Sequence, residues 1–168
     1  MEVPVRLELP HDIAEVFQTN ERAFGATLEA RLVDTLRTLP DSISLVATLN
    51  GQVVGHILFT AVTIEPAADV RVAGLAPMSV RPEYQRQGVG GQLVRAGLDE
   101  CRRRGYAAVV VVGHPEYYPR FGFEPAHSHG LQCEFPVPRE AFMVFELEPN
   151  ALRGMSGIVR YRPEFAAE

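Results

Sequence analysis

Residues 85 to 94 read QRQGVGGQLV and place three glycines within four positions, directly before an apolar helical pattern. The first N–H groups of a helix have no partner within the helix, and they carry a partial positive charge. Glycines allow this backbone to approach an anion closely, so a pyrophosphate is the ligand that such a turn favours. The segment is therefore a candidate pyrophosphate-binding turn.

Two nucleotide-binding motifs compete for this turn, and both fit poorly. The ATP/GTP-binding motif GxxxxGK[ST] requires a Lys-Ser or Lys-Thr pair, which does not follow these glycines. The dinucleotide motif GxGxxG matches at Gly88 and Gly90, but Leu93 occupies the third glycine position. A nucleotide-binding protein of another fold is an alternative that the glycines alone leave open.

Length and composition indicate the class of protein. A chain of 168 residues with 46% hydrophobic and 22% charged residues is typical of one soluble globular domain. The net charge of −5 argues against binding to nucleic-acid phosphates. Cys101 and Cys133 are far apart, so neither a disulfide scaffold nor a metal site is expected. The sequence shows neither a secretion signal nor an apolar run of about 20 residues, so we expect a cytoplasmic protein without membrane contact.

Hydrophobic periodicity predicts the elements that precede the turn. Alternation in VRLEL predicts a strand, and apolar residues at helical spacing predict two amphipathic helices joined around Gly25. Asn50-Gly51 separates two strand-like runs and is a strong local signal of a hairpin. Pro77 lies within a predicted strand, where its missing N–H indicates an edge or a bulge. The predicted elements are strand 5–9, helices 11–24 and 27–39, strands 42–49 and 52–64, a loop at 65–71 and strand 72–80.

The glycine turn leads into a predicted helix that begins at Val89. Three arginines lie in its last turn, where positive charge stabilises the helix dipole, and Gly105 ends it. The run AAVVVV at 107–112 is apolar on both sides and predicts a strand that is covered on both faces. Strand, turn, helix and strand form one right-handed crossover unit. One further clear strand lies at 142–147.

The run VRPEYQRQGVGGQLV resembles the acyl-CoA pyrophosphate loop of the GNAT superfamily of N-acetyltransferases. That family's pattern is [QR]-x-x-G-x-[GA], which follows a strand and a V-x-P sequence. Here Gln85, Gly88 and Gly90 match the pattern, and Val80 and Pro82 match the sequence before it.

A second segment, GHPEYYPRFGFEPA, is similar to another signature of that family, in which a tyrosine precedes a Gly-Phe pair by four residues. Tyr118 precedes Gly122 in this way, and Phe123 completes the pair. The YYPRFGF segment, the GHILF strand and the late GIVRY stretch also resemble the bacterial YhbS-like branch.

The resemblance implies the fold and the domain organisation. The fold is an α/β (α+β) fold of the GNAT acyl-CoA N-acyltransferase type. It has a central mixed, mostly antiparallel sheet with two splayed parallel strands, flanked by helices. A single N-acetyltransferase domain is expected over residues 1–168, with a CoA-binding core at about 72–125 and a C-terminal extension at about 126–168.

The resemblance also implies acetyl-CoA as the co-substrate, without a metal. The pantetheine arm is expected to imitate a strand beside the backbone of Met78 and Val80, and an N–H near Met78 to polarise the thioester carbonyl. Arg86 is a candidate phosphate partner, and for Arg120 a phosphate contact and a structural salt bridge are both open. The implied cofactor-binding residues are Met78, Val80, Gln85, Arg86, Gln87, Gly88, Val89, Gly90 and Gly91.

The implied reaction is direct transfer of an acetyl group to a primary amine of a small molecule or peptide. Tyr118 occupies the position of the family's acid, which protonates the departing thiolate. The alternatives are that Tyr118 is a packed aromatic residue, or that its neighbour Tyr117 is the acid. His114 is the candidate base, although an amine can also lose its proton to solvent. The rival bases are three carboxylates, Glu21, Glu29 and Glu65.

Three further residues have structural interpretations. His56 lies in a predicted strand, and we expect it to be a packed polar residue. Cys101 lies on the apolar side of its helix and is expected to be buried. Cys133 has no visible activating base, so it is not expected to be a nucleophile.

One alternative function belongs to another class. A catalytically inactive acyl-CoA-binding regulatory or scaffold module would keep the cofactor turn and lose turnover. CoA release in the presence of amines distinguishes it from an enzyme. A homodimer is one oligomeric state that the resemblance allows.

Overall fold

The computed structural model describes residues 1–66 and 69–166, so residues 67 and 68 of the predicted loop lie outside the described residues. The described part contains nine strands and three α-helices. In chain order these are β1 (Val5–Leu7), α1 (Ile13–Phe24), α2 (Leu28–Leu36), β2 (Ile43–Leu49), β3 (Gln52–Glu65), β4 (Val72–Val80), α3 (Val89–Arg103), β5 (Ala108–Val112), β6 (Glu124–Pro125), β7 (Leu131–Cys133), β8 (Phe142–Glu146) and β9 (Gly157–Arg160).

The residues group into two compact units, and neither is one continuous segment. The first unit contains residues 1–59 and 76–97 with the end of the chain, and the second contains 60–75 and 98–163. Strands β3 and β4 and helix α3 each contribute residues to both units. The prediction of one domain over 1–168 stays a prediction.

In the first unit, β1, β2 and the beginning of β3 form an antiparallel ladder. The β2–β3 hairpin turns at Asn50 and Gly51, whose φ angles are 53° and 79°. Two positive φ angles are what the tightest hairpin turns require, and asparagine and glycine tolerate them. The predicted Asn-Gly hairpin is confirmed.

The two predicted N-terminal helices are α1 and α2, and Gly25 ends α1 in the left-handed conformation, with φ of 76°. Their apolar faces contribute to a buried cluster with β2 and β3. That cluster contains Val16, Val33, Leu36, Val46, Val53 and Leu58.

Helix α3 packs on β3 in the same unit. A Cβ atom at Gly55 would lie 3.0 Å from the Leu93 side chain and 3.1 Å from that of Val89. At Gly97 an added Cβ would overlap the ring of Phe59. Gly55 on β3 and Gly97 on α3 therefore allow the helix to approach the strand closely. This packing includes Val89, the first residue of the helix.

In the second unit, β4 pairs with β5 in parallel, and β5, β8 and β6 pair antiparallel. The residues of β5 from Ala108 to Val111 are buried, which confirms the predicted strand with two covered faces. The sequence analysis did not predict β6, β7 or β9. Strand β9 lies in the GIVRY stretch, and it pairs antiparallel with the end of β3 and in parallel with β7.

The ladder between β4 and β5 ends before β4 does. The ladder between β4 and β5 runs from Val72–Ala108 to Leu75–Val111, whereas β4 continues to Val80. Pro77 lies beyond the last paired residue of β4, so its missing N–H removes no bond to β5.

Candidate functional site

The glycine turn has the backbone shape that an anion site requires. Arg86 and Gly88 adopt positive φ angles of 63° and 90°, and helix α3 begins at the next residue, Val89. An added Cβ at Gly88 would meet only the Gln92 side chain, at 3.9 Å, so the approach to the turn is open. The first N–H groups of a helix have no partner within the helix, and those of α3 begin directly beside this open glycine.

Glutamine side chains hold the turn in place. The Gln85 amide nitrogen donates to the Val80 carbonyl at 2.9 Å, and that of Gln87 donates to the Glu83 carbonyl at 3.2 Å. Both amide groups thus bond to the protein backbone. Gln85, Arg86 and Gln87 are all exposed residues. The predicted contact of Arg86 with a phosphate stays a prediction.

Gln92 forms a clasp between the N-terminal segment and the turn. Its Oε1 accepts a hydrogen bond from the Val3 N–H at 2.9 Å. Its Nε2 donates to the carbonyl of Met1 at 2.6 Å and to that of Gly88 at 3.0 Å. The sequence analysis did not identify this residue, because periodicity places it on the solvent side of the helix. No local signal reveals a partner that lies some 90 residues earlier in the chain.

The last residues of β4 alternate in exposure. Met78 and Val80 are half-buried, whereas Ser79 between them is buried, with no partner for its hydroxyl among the described residues. The backbone of this segment continues in the extended conformation past the β4–β5 ladder. It has the geometry that strand-like pairing with a ligand needs.

Tyr118 lies at the start of a short 3-10 turn, Tyr118–Phe121, that follows β5. The His114 carbonyl accepts bonds from the N–H groups of Tyr117 at 3.0 Å and Tyr118 at 3.4 Å. The Tyr118 ring lies directly against Gly113, where an added Cβ would overlap it. The Tyr118 ring can occupy this position only because residue 113 has no side chain. The sequence analysis did not identify Gly113 as important.

The surroundings of Tyr118 keep its hydroxyl protonated. The residue is only 7% exposed, and its ring packs edge-on against Tyr117 and Phe123, with centroid distances of 5.1 and 5.5 Å. Burial raises the pKa of the hydroxyl well above its usual value of 10. At neutral pH the group is protonated, which the acid role requires, and the raised pKa makes it a weaker acid than an exposed tyrosine.

The candidate bases differ in their surroundings. His114 is exposed. Glu65 accepts a hydrogen bond from Arg160 at 2.8 Å, and this bond lowers the pKa of its carboxyl. A lowered pKa makes Glu65 a weaker base. Glu21 and Glu29 are partly exposed on α1 and α2.

The residues with structural interpretations are placed as expected. His56 and Cys101 are fully buried, and burial raises the pKa of the Cys101 thiol to about 12. Burial also raises the pKa of Cys133, so it stays a neutral thiol. Arg120 stacks on the Tyr117 ring, 4.7 Å from its centroid, and donates to the Tyr117 carbonyl at 3.1 Å. These contacts with Tyr117 are structural but are not the predicted salt bridge, and the alternative phosphate contact of Arg120 stays a prediction.

Residues 5–126 match the family model of the acetyltransferase (GNAT) domain. The chain belongs to the GNAT family of acetyltransferases. The predicted family, fold and enzyme class are confirmed. The described residues contain no group of three His, Cys, Asp or Glu side chains that could hold a metal ion. No helix in the described part of this GNAT chain is long and apolar enough to cross a membrane.

GNAT relatives extend the similarity beyond residue 126. The uncharacterized N-acetyltransferase YhbS of Escherichia coli K12 is 40% identical over 163 residues, covering 96% of this chain and 97% of YhbS. YjhQ, another uncharacterized N-acetyltransferase of that strain, is 42% identical over 134 residues, covering 77% and 74%. The C-terminal region is thus shared with YhbS.

Two solved GNAT structures share the fold. The crystal structure of Escherichia coli YhbS in complex with CoA superposes with a TM-score of 0.92 and 39% identity, covering 99% of this chain and 93% of that one. A Brucella melitensis GNAT acetyltransferase in complex with acetyl-CoA gives a TM-score of 0.79 and 35% identity, with 98% of both chains covered.

Proposed function

We propose that this GNAT enzyme transfers an acetyl group from acetyl-CoA directly to a primary amine of a small molecule or peptide. The observation that carries the proposal is the open turn at Gly88, which leads directly into the N-terminus of α3. The relatives solved with CoA and with acetyl-CoA support the choice of co-substrate.

In this proposal, two segments of the chain bind acetyl-CoA. Backbone N–H groups from Gln85 to Gly91 bind the pyrophosphate, and the exposed Arg86 neutralises part of its charge. The backbone of Met78 and Val80 pairs with the pantetheine arm. An N–H near Met78 stabilises the negative charge that develops on the thioester oxygen.

The chemical step needs two proton transfers. The neutral amine nitrogen attacks the acetyl carbon, a C–N bond forms and the C–S bond breaks. The departing thiolate takes the proton of the Tyr118 hydroxyl, which solvent later replaces. The nitrogen loses its proton to His114, directly or through water, or to solvent. The Tyr118 hydroxyl is protonated at neutral pH and can therefore donate, while its raised pKa makes it a weaker acid than an exposed tyrosine.

The first experiment is calorimetric titration with acetyl-CoA, with ATP and NAD as controls for other nucleotide sites. We expect micromolar binding of acetyl-CoA that Gly88→Val abolishes. The matched control is Gly154→Val, because Gly154 also has a positive φ and open surroundings but lies outside the turn. Equal losses in both variants, or preference for ATP or NAD, would contradict the cofactor assignment.

The second experiment tests the acid. We expect Tyr118→Phe to lower kcat by roughly 100-fold or more while the Kd for acetyl-CoA stays nearly unchanged. The matched control is Tyr117→Phe, which removes the neighbouring hydroxyl and keeps its ring under Arg120. Loss of activity in Tyr117→Phe but not in Tyr118→Phe would identify Tyr117 as the acid. Acetyl-CoA binding without CoA release for any amine would identify an inactive binding module instead.

A further inference from the structure

The second unit contains a cavity of about 450 Å³ outside the residues assigned above. This volume lies within the range of about 300–1,000 Å³ that is usual for small-molecule sites. The cavity is lined by His127, Gly130, Leu131, Gln132, Cys133, Phe135, Val137, Arg139 and Phe142.

The cavity lies at the end of β5 from which the segment with Tyr118 continues. Phe142 lines the cavity and pairs with Val112, the last residue of β5. The Gly113 N–H then donates to the Ala141 carbonyl at 2.9 Å. This bond ties the lining segment to the residue on which the Tyr118 ring rests.

The lining of the cavity combines buried apolar residues with exposed polar ones. Leu131 and Phe142 are buried, and Phe135 and Val137 are partly buried, so an apolar group of a ligand gains contact there. Arg139 lines the cavity and is exposed. The lining therefore offers a ligand both apolar side chains and one cationic side chain.

The charge of the lining is opposite to that of the protein. The chain has 21 acidic and 16 basic residues, yet none of the nine lining residues is a carboxylate. Arg139 is always protonated at physiological pH, and its planar group binds a carboxylate through two parallel hydrogen bonds. His127 and Gln132 add further hydrogen-bonding groups.

We infer that this cavity receives the acceptor, and that the acceptor is an amine that also carries a carboxylate and an apolar side group. The inference rests on the proposed function and names its substrate class. Arg139 binds the carboxylate, and Phe142 and Phe135 contact the apolar group. Amino acids with large apolar side chains and peptides that expose one have this chemistry.

The test uses pairs of amines that differ only in the carboxylate, such as phenylalanine and phenylethylamine, and measures CoA release. We expect a KM for the carboxylate-bearing member roughly tenfold lower or more, because a hydrogen-bonded charge contributes on this scale. In Arg139→Gln this preference is lost, whereas the KM for acetyl-CoA stays unchanged. Arg139→Lys keeps the charge without the planar group and restores the preference in part.

Arg153→Gln is the matched control, because Arg153 is an exposed arginine of the same unit that does not line the cavity. It keeps the wild-type preference. Equal KM values within the pairs, or an unchanged preference in Arg139→Gln, would overturn the inference and leave the proposed function standing. Absence of acetyl-CoA binding would overturn the proposed function itself.

Discussion

The buried side chain of His56 makes the free energy of unfolding of this protein decrease as the pH falls. The side chain is fully buried between α1 and β2. Asn20 Nδ2 donates to its Nδ1 at 3.2 Å, so Nε2 carries the proton and donates to Ser44 Oγ at 2.8 Å. Ser44 Oγ in turn donates to Glu8 at 2.7 Å. These hydrogen bonds stabilise the neutral imidazole with its proton on Nε2.

The magnitude follows from the pKa. Burial, with a contribution from the charge of Arg37, lowers the pKa of His56 from 6.5 to about 3. Between these two values the unfolded chain binds a proton that the native protein does not, so stability decreases as pH falls below 6.5. Each pH unit in this window removes about 1.4 kcal/mol. From pH 7 to pH 5 the free energy of unfolding therefore falls by about 2 kcal/mol through His56 alone.

Urea unfolding at pH 7 and pH 5 measures this difference. We expect His56→Gln to be less stable at pH 7, because it disrupts a buried network, and to lose about 2 kcal/mol less than the wild type on acidification. His127→Gln changes an exposed histidine and serves as the control. An equal loss in wild type and His56→Gln would refute the reasoning. NMR of the wild-type imidazole gives a second test, since a protonated ring at pH 5 would refute it as well.

Three further substitutions have defined outcomes. Gly113→Ala displaces the Tyr118 ring, so steady-state kinetics should show a lower kcat at an unchanged KM for acetyl-CoA, and an unchanged kcat would contradict this. Gln92→Ala removes the clasp on the turn, so calorimetry should show a roughly threefold to tenfold weaker Kd for acetyl-CoA, whereas equal affinity would show that the clasp is dispensable. Gly97→Ala forces α3 away from Phe59 and should lower the free energy of unfolding by about 1–3 kcal/mol, and an unchanged urea midpoint would disprove the close packing.

Local sequence determined much of the framework. Asn50-Gly51 predicted the hairpin because few residues tolerate two successive positive φ angles. The start of α3 at Val89 and the buried strand β5 followed from periodicity and from apolar content. The spacing of the glycines, and that of Tyr118 before Gly122, were sufficient to indicate the family.

Tertiary structure decided what depends on residues distant in the chain. Strands β7 and β9 are only three and four residues long, and they are strands because they pair with each other and because β9 also pairs with the end of β3. Gln92 belongs to the turn because the N-terminal segment returns to it. The cavity exists because chain segments around Leu131 and Phe142 line it together. Periodicity and motifs report on a residue's near neighbours, whereas enclosure and contact between distant segments form only when the chain folds.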